Sequence, residues 1–511
     1  MLFNSYAFVF LFLPVVLLVF LRLEQRHRES AIAWLVVASL FFYAWWKPVY
    51  LLLLLISMVF NFLLGGRLRR SPNRLVLGFG VAGNLALLGW FKYANFFVDT
   101  VNAMGGTHLV LDHIVLPLAI SFFTFQQIAW LVDAYRGQAA EYNPVHYALF
   151  VSFFPQLIAG PIVHHAEMMP QFGRARDREA RLRDLEIGLT IFCLGFLKKV
   201  VLADTASLQA NPVFDAAGQG ELLTFFEAWG GALAYSFQLY FDFSGYSDMA
   251  IGLGRLFGIR LPVNFFSPYR ATSIIDFWRR WHITLARFLR DYLYIPLGGN
   301  RRGPGRTRVN LMLTMLLGGL WHGAAWTFVF WGGLHGLYLV INRLWRDLRR
   351  RTGRDRDFGR AGRFVAIAVT FLAVVVGWVV FRADSFEAAA RMYAGMAGLN
   401  GFVLSPGAGQ ALGAAGDVLT RAGVRFESVR YLFGWQEWGW LALLALIAFA
   451  CPNVQQLLAK FSPGLMPRRL TLQPSRWAWR PEPRWALAIG LLMAWSLLAL
   501  NRVDEFLYFQ F

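Results

Sequence analysis

Apolar runs long enough to cross a lipid bilayer as helices recur along this chain, separated by polar segments rich in arginine. With 57% hydrophobic and 15% charged residues and a mean hydropathy of +0.46, the pattern predicts an integral membrane protein. The runs cover most of the 511 residues, so an all-α, polytopic transmembrane helical bundle is expected, with residues 1–511 as a single membrane domain. The expected spans are Leu2–Leu21, Ala31–Trp46, Val49–Leu64, Leu75–Phe91, Leu116–Val132, Tyr147–Val163, Leu185–Leu202, Thr224–Tyr240, Met312–Ile341, Phe364–Phe381, Trp435–Ala450 and Trp485–Leu500. Leu2–Leu21 has no basic residue before it and no small-residue cleavage site after it, which reads as an uncleaved first span.

The net charge of +19 would suggest nucleic acid in a soluble protein, but here the arginines lie in loops between spans. There they set orientation, and no nucleic-acid partner is expected. Basic loops at Arg22–Arg28 and Arg67–Arg74 place the N-terminus outside if both loops face the cytoplasm. Basic segments Arg174–Arg183, Arg301–Arg308, Arg343–Arg363 and Lys460–Arg484 read as cytoplasmic as well, and Ala94–Leu111, without Lys or Arg, as an outside loop.

Between two of these cytoplasmic segments runs the nearly charge-free stretch Asn310–Asn342, with His322 in its middle. At about 33 residues, roughly 50 Å as a helix, it is too long for one straight crossing and short for two. Entered and left from the same side, it must be a re-entrant or hairpin segment with His322 near its turn. Gly318, Gly319 and Gly323 permit the break. One long tilted helix is the alternative, and it would put an arginine loop on the wrong side.

A second unusual stretch, Leu261–Asn300, is too polar to span. Asp276, Arg280, Arg287 and Asp291 fall on one helical stripe, and Ile275, Trp278, His282, Leu285 and Leu289 on another. This predicts an amphipathic helix at the interface or in a cavity wall, ended by Pro296, Gly298 and Gly299. Asn400–Gly416, rich in Gly and Ala, reads as a loose outside loop.

An ionisable side chain at membrane depth is costly and marks a reaction or transport site. His282 and His322 are therefore candidates for proton transfer, since imidazole titrates near neutrality and can take and return a hydroxyl proton. The bland alternative is two packed histidines donating to backbone carbonyls. His335, on a largely different helical face, is read as packing. Asp242 to Asp248, DFSGYSD, could coordinate a cation or anchor a polar acceptor, but reads more simply as a helix-end turn. His164-His165 lacks a completing ligand beyond Glu167, and Cys193 and Cys451 stand alone, so no metal and no disulfide are expected. No phosphate-binding loop supports ATP-driven transport.

Trp321-His322-Gly323, preceded by Asp276-Phe277-Trp278-Arg279-Arg280-Trp281-His282, resembles the membrane-bound O-acyltransferase family. Arg290-Asp291-Tyr292-Leu293-Tyr294-Ile295-Pro296-Leu297-Gly298-Gly299-Asn300 is similar to the branch that contains bacterial alginate O-acetylation subunits, and Phe154 to Ile162 and the terminal Phe506–Phe511 also fit. The resemblance covers nearly the whole chain. It implies peripheral N-terminal spans over about 1–110, a catalytic core over about 111–345 and C-terminal spans over about 364–511. It further implies helices around a central funnel, a catalytic His322 with His282 as second polar site residue, and substrate contacts from Trp321, Trp278, Asp276 and Asp242.

On this resemblance no cofactor is permanently bound, and acetyl-CoA is the expected donor at the basic cytoplasmic face of a bacterial inner membrane, with the N-terminus periplasmic. Besides membrane lipid, the implied partners are a periplasmic acetyltransferase of the SGNH type and polysaccharide export machinery. Alginate is the first acceptor expected, with cellulose, another exopolysaccharide or peptidoglycan open. A proton- or ion-coupled transporter is the competing class, but it predicts paired ionisable residues in repeated halves, and no repeat is visible. A scaffold that only recruits soluble acetyltransferases would leave a His322→Ala protein active.

Overall fold

The computed structural model describes residues 1–139, 142–352, 359–428, 430–431, 434–467 and 469–502. The terminal Phe506–Phe511 match lies outside them. The regular structure of the described chain is helical apart from two short parallel strands, Phe402–Leu404 and Val424–Phe426. Among the described residues, four helices are long and apolar enough to cross a membrane: Ala7–Glu24, Val49–Arg70, Arg74–Gly105 and Arg360–Arg382. Their exposed faces carry large apolar side chains such as Leu11, Ile56, Phe79 and Val369, as helices in contact with hydrocarbon require.

Several expected boundaries move. The Tyr147–Val163 run forms short helices, Pro144–Ser152 and Phe154–Leu157, because Phe153 leaves the helical backbone region and Pro155, two residues on, has no amide to continue the helical hydrogen bonds. The Ala94–Leu111 loop is helical through Gly105, and Asn400–Gly416 contains a strand and the helix Pro406–Leu412, capped by the Ser405 hydroxyl.

The chain forms two compact units. The first comprises residues 1–197, 245–264 and 454–501. Within it, glycines bring two helices together. A Cβ on Gly188 would lie 2.8 Å from the Gly252 carbonyl oxygen, and one on Gly195 would lie 2.6 Å from that of Gly245. Small residues that let backbones touch are how helices associate where lipid removes the hydrophobic drive. Arg176 ties this unit further, its guanidinium reaching Glu24 at 2.7 Å and Asp184 at 3.0 Å.

The second unit comprises residues 198–244 and 265–453, and it holds His282 and His322. Its centre is the hairpin expected from the loop charges: Gly303–His322 and Trp326–Arg351 are separate helices joined by a three-residue break at Gly323. Gly319 and Gly332 face each other so closely that a Cβ on either would overlap a backbone carbonyl oxygen, of Phe328 and Met315 respectively. Since neither carbonyl can move without unwinding its helix, Gly332→Ala is expected to cost about 1–3 kcal/mol, read as a lower midpoint for heat-induced aggregation of the detergent-solubilised protein.

Candidate functional site

His322 is the last residue of the first hairpin helix. Gly323 then leaves the helix with an extended backbone, and a Cβ there would overlap the Phe328 ring. The Trp-His-Gly order thus has a packing reason: the glycine lets the second helix fold back over the histidine.

His282 arrives on a different element. The expected continuous amphipathic helix is not formed; two short helices, Ile274–Trp278 and Ile283–Leu289, are separated at His282, whose backbone is left-handed at φ 41° and ψ 52°. A non-glycine residue in that region stores strain, and such residues cluster at functional sites. The bend carries the imidazole inward, where it is fully buried, and burial disfavours its charged form.

The two imidazoles meet, with ring centroids 6.4 Å apart. Around them stands an aromatic wall. Trp321 lies 5.1 Å from His322 and 6.2 Å from His282, Trp331 and Phe381 lie 5.1 and 5.4 Å from His322, and Phe243 lies 4.8 Å from His282. The rings enclose both histidines in a largely apolar setting. Such a pair can accept a proton from a bound hydroxyl and return it to a leaving group.

The other expected site residues separate. Trp321 is in the wall. Trp278 packs against His335 and Trp331, at 5.4 and 5.9 Å, so it borders the cluster from behind. Asp276 is engaged locally, accepting from Arg280 at 2.9 Å and from the Thr272 amide at 3.2 Å. Asp242 is not in a helix-end turn, because Phe225–Leu256 is one helix straight through it. Its carboxylate is buried against the Lys199 ammonium at 2.5 Å, and Lys199 also meets Asp204 at 2.8 Å. The adjacent Phe243 packs on His282, so this ion cluster anchors one side of the site.

Sequence reasoning missed Lys199, although a lysine inside the Leu185–Leu202 run carries the same depth penalty that singled out His322. It also set His335 apart, yet His335 lies 4.7 Å from Trp331, one turn earlier on the same helix, and the hairpin brings Trp331 against His322. His165 hydrogen-bonds Asp133 and the Gln138 carbonyl, at 3.1 and 3.0 Å, a local tie within the first unit.

The sequence comparison supplies the class of protein in which this histidine pair sits. Residues 31–380 match the membrane-bound O-acyltransferase family, and the chain belongs to it: it is an integral membrane O-acyltransferase. It is 47% identical to a peptidoglycan O-acetyltransferase of Helicobacter pylori, over 79% of this chain and 81% of that protein. It is 46% identical to a probable alginate O-acetylase of Pseudomonas putida, over 79% and 82%, and 40% identical to one of Pseudomonas aeruginosa along the full length of both.

Proposed function

We propose that the chain is an inner-membrane O-acetyltransferase, N-terminus periplasmic, that passes acetyl groups from cytoplasmic acetyl-CoA to a hydroxyl of an exported polysaccharide, alginate first. The observation that supports this reading is the pairing of His282 with His322 inside an aromatic wall at the tip of a hairpin whose ends are basic. His322 acts as general base: it takes the proton of the acceptor hydroxyl as that oxygen attacks the thioester carbonyl. The carbon–sulfur bond breaks, the thiolate recovers the proton, and an acetyl ester is left on the acceptor. His282 orients His322 and stabilises the imidazolium formed in passing. Trp321 forms the substrate wall, Trp278 supports it, and Asp276 and Asp242 hold the flanking elements.

The acceptor is the polymer itself or the hydroxyl of a periplasmic SGNH-type acetyltransferase working with the export machinery. The full-length similarity to a probable alginate O-acetylase supports alginate. A second reading, peptidoglycan, is favoured by the 47% identity to the Helicobacter pylori protein. Expression in an alginate-producing bacterium deleted for its own membrane acetylation subunit separates the two. Acetyl esters restored on the exported alginate support the first reading; esters on peptidoglycan alone overturn it for the second.

A further inference from the structure

Where the exposed apolar surface of the hairpin gives way to arginines, a cleft of about 280 Å³ joins the first turns of Gly303–His322 to the last turns of Trp326–Arg351. Arg308 on the first helix and Arg343 and Asp347 on the second line it; the arginines are half-buried and the carboxylate is exposed. Among the described residues none of the three is ion-paired, and Arg343 reaches only the Asn300 side-chain oxygen at 3.5 Å. The first helix opens without a side-chain cap, so its free amides add to the positive field of the cleft. Exposed apolar stripes start beside both arginines: Val309, Leu313 and Leu317 follow Arg308 along one helix, and Leu344, Ile341 and Leu337 run back from Arg343 along the other.

Two guanidinium groups lining one space suit a phosphate, which they hold through charge-assisted hydrogen bonds. The carboxylate beside them repels a bare anion and attracts an ammonium, so the matching ligand carries both charges close together. The apolar stripes add a third requirement, hydrocarbon attached to that headgroup. A phospholipid with a primary amine meets all three, and the junction of arginine-rich and apolar helix surface is the level at which lipid headgroups lie.

We propose that this cleft is a binding site for one molecule of phosphatidylethanolamine. Arg308 and Arg343 hold its phosphate, Asp347 accepts from its ammonium, and its acyl chains lie on the Val309–Leu313–Leu317 and Leu337–Ile341–Leu344 stripes. The headgroup thereby clasps the two hairpin helices together at their open end, since its contacts come from both.

The test is native mass spectrometry of the full chain in maltoside micelles, titrated with phosphatidylethanolamine, phosphatidylglycerol and phosphatidylcholine of identical acyl chains. The wild type is expected to bind one phosphatidylethanolamine about 10-fold more tightly than either of the others, the contrast that a single hydrogen bond to a charged group supplies. Asp347→Asn is expected to lose the preference, and Arg308→Gln/Arg343→Gln to lose the tight site for every lipid. A wild type that binds the three lipids alike, or a double variant that binds phosphatidylethanolamine as the wild type does, overturns the site. Asp347 is exposed, so its variant remains a folded test if the double variant is not, and a preference that survives Asp347→Asn overturns the ammonium contact and the assignment with it. Glycerophosphoethanolamine, the same headgroup without chains, is expected not to displace the lipid at equal concentration; displacement means that the cleft takes a soluble phosphate ligand and overturns the lipid.

Discussion

His322→Gln is expected to lower acyl transfer by about 10³-fold while the protein reaches the membrane in normal amounts. The glutamine amide fills much of the imidazole's space and keeps polar atoms among Trp321, Trp331 and Phe381, so the wall persists. It cannot take up a proton at neutral pH, and the acceptor hydroxyl then has no base. The loss should appear in kcat rather than KM, since the wall proposed to contact substrate is intact. His282→Gln is expected to fall less far, because its ring supports the base rather than being the base. Equal losses in both variants would instead indicate that the two imidazoles act as one unit.

The second large effect is on stability. Lys199→Met is expected to destabilise the protein by about 3–5 kcal/mol, because it leaves Asp204 and Asp242 buried without the ammonium that joins them. The midpoint for thermal aggregation in detergent reads this directly. Replacing the cluster as a whole, Lys199→Met with Asp204→Asn and Asp242→Asn, should recover much of the loss, since the penalty comes from unpaired charge and not from missing contact. If Lys199→Met alone were as stable as wild type, the cluster would not be a structural anchor. An activity loss in the stable triple variant would then point to a direct role for Asp242 in holding the acceptor.

The hairpin was legible in the sequence because lipid imposes two simple constraints, length and loop charge. Asn310–Asn342 violates the first as a single crossing and its arginine flanks violate the second. The meeting of His282 and His322 was not legible from spacing, since the two lie on different elements and their approach depends on a backbone reversal. The pattern of apolar residues keeps helical period straight through His282, so periodicity predicts one helix where the chain makes two. What breaks it is the left-handed backbone at a histidine, and no residue type announces that as glycine would. The Asp242 segment misled for the opposite reason. Ser244, Gly245 and Ser247 look like turn chemistry, but the Gly245 carbonyl packs against Gly195 of the neighbouring helix, and the helix runs on. Lys199 was hidden by its neighbour Lys198 and by an apolar run that reads as an ordinary span until its carboxylate partners are seen together.

The central claim is that a donor on the basic side and an acceptor on the other meet at His322. Vesicles containing the purified chain with its basic loops outward, acetyl-CoA added outside and a mannuronate oligosaccharide enclosed inside, test it in one measurement: acetyl ester on the enclosed sugar. The account predicts ester formation with the wild type, in step with release of coenzyme A outside, and none above background with His322→Gln. Ester formation that continues in the His322→Gln vesicles, or coenzyme A release without any acetyl group inside, would contradict it.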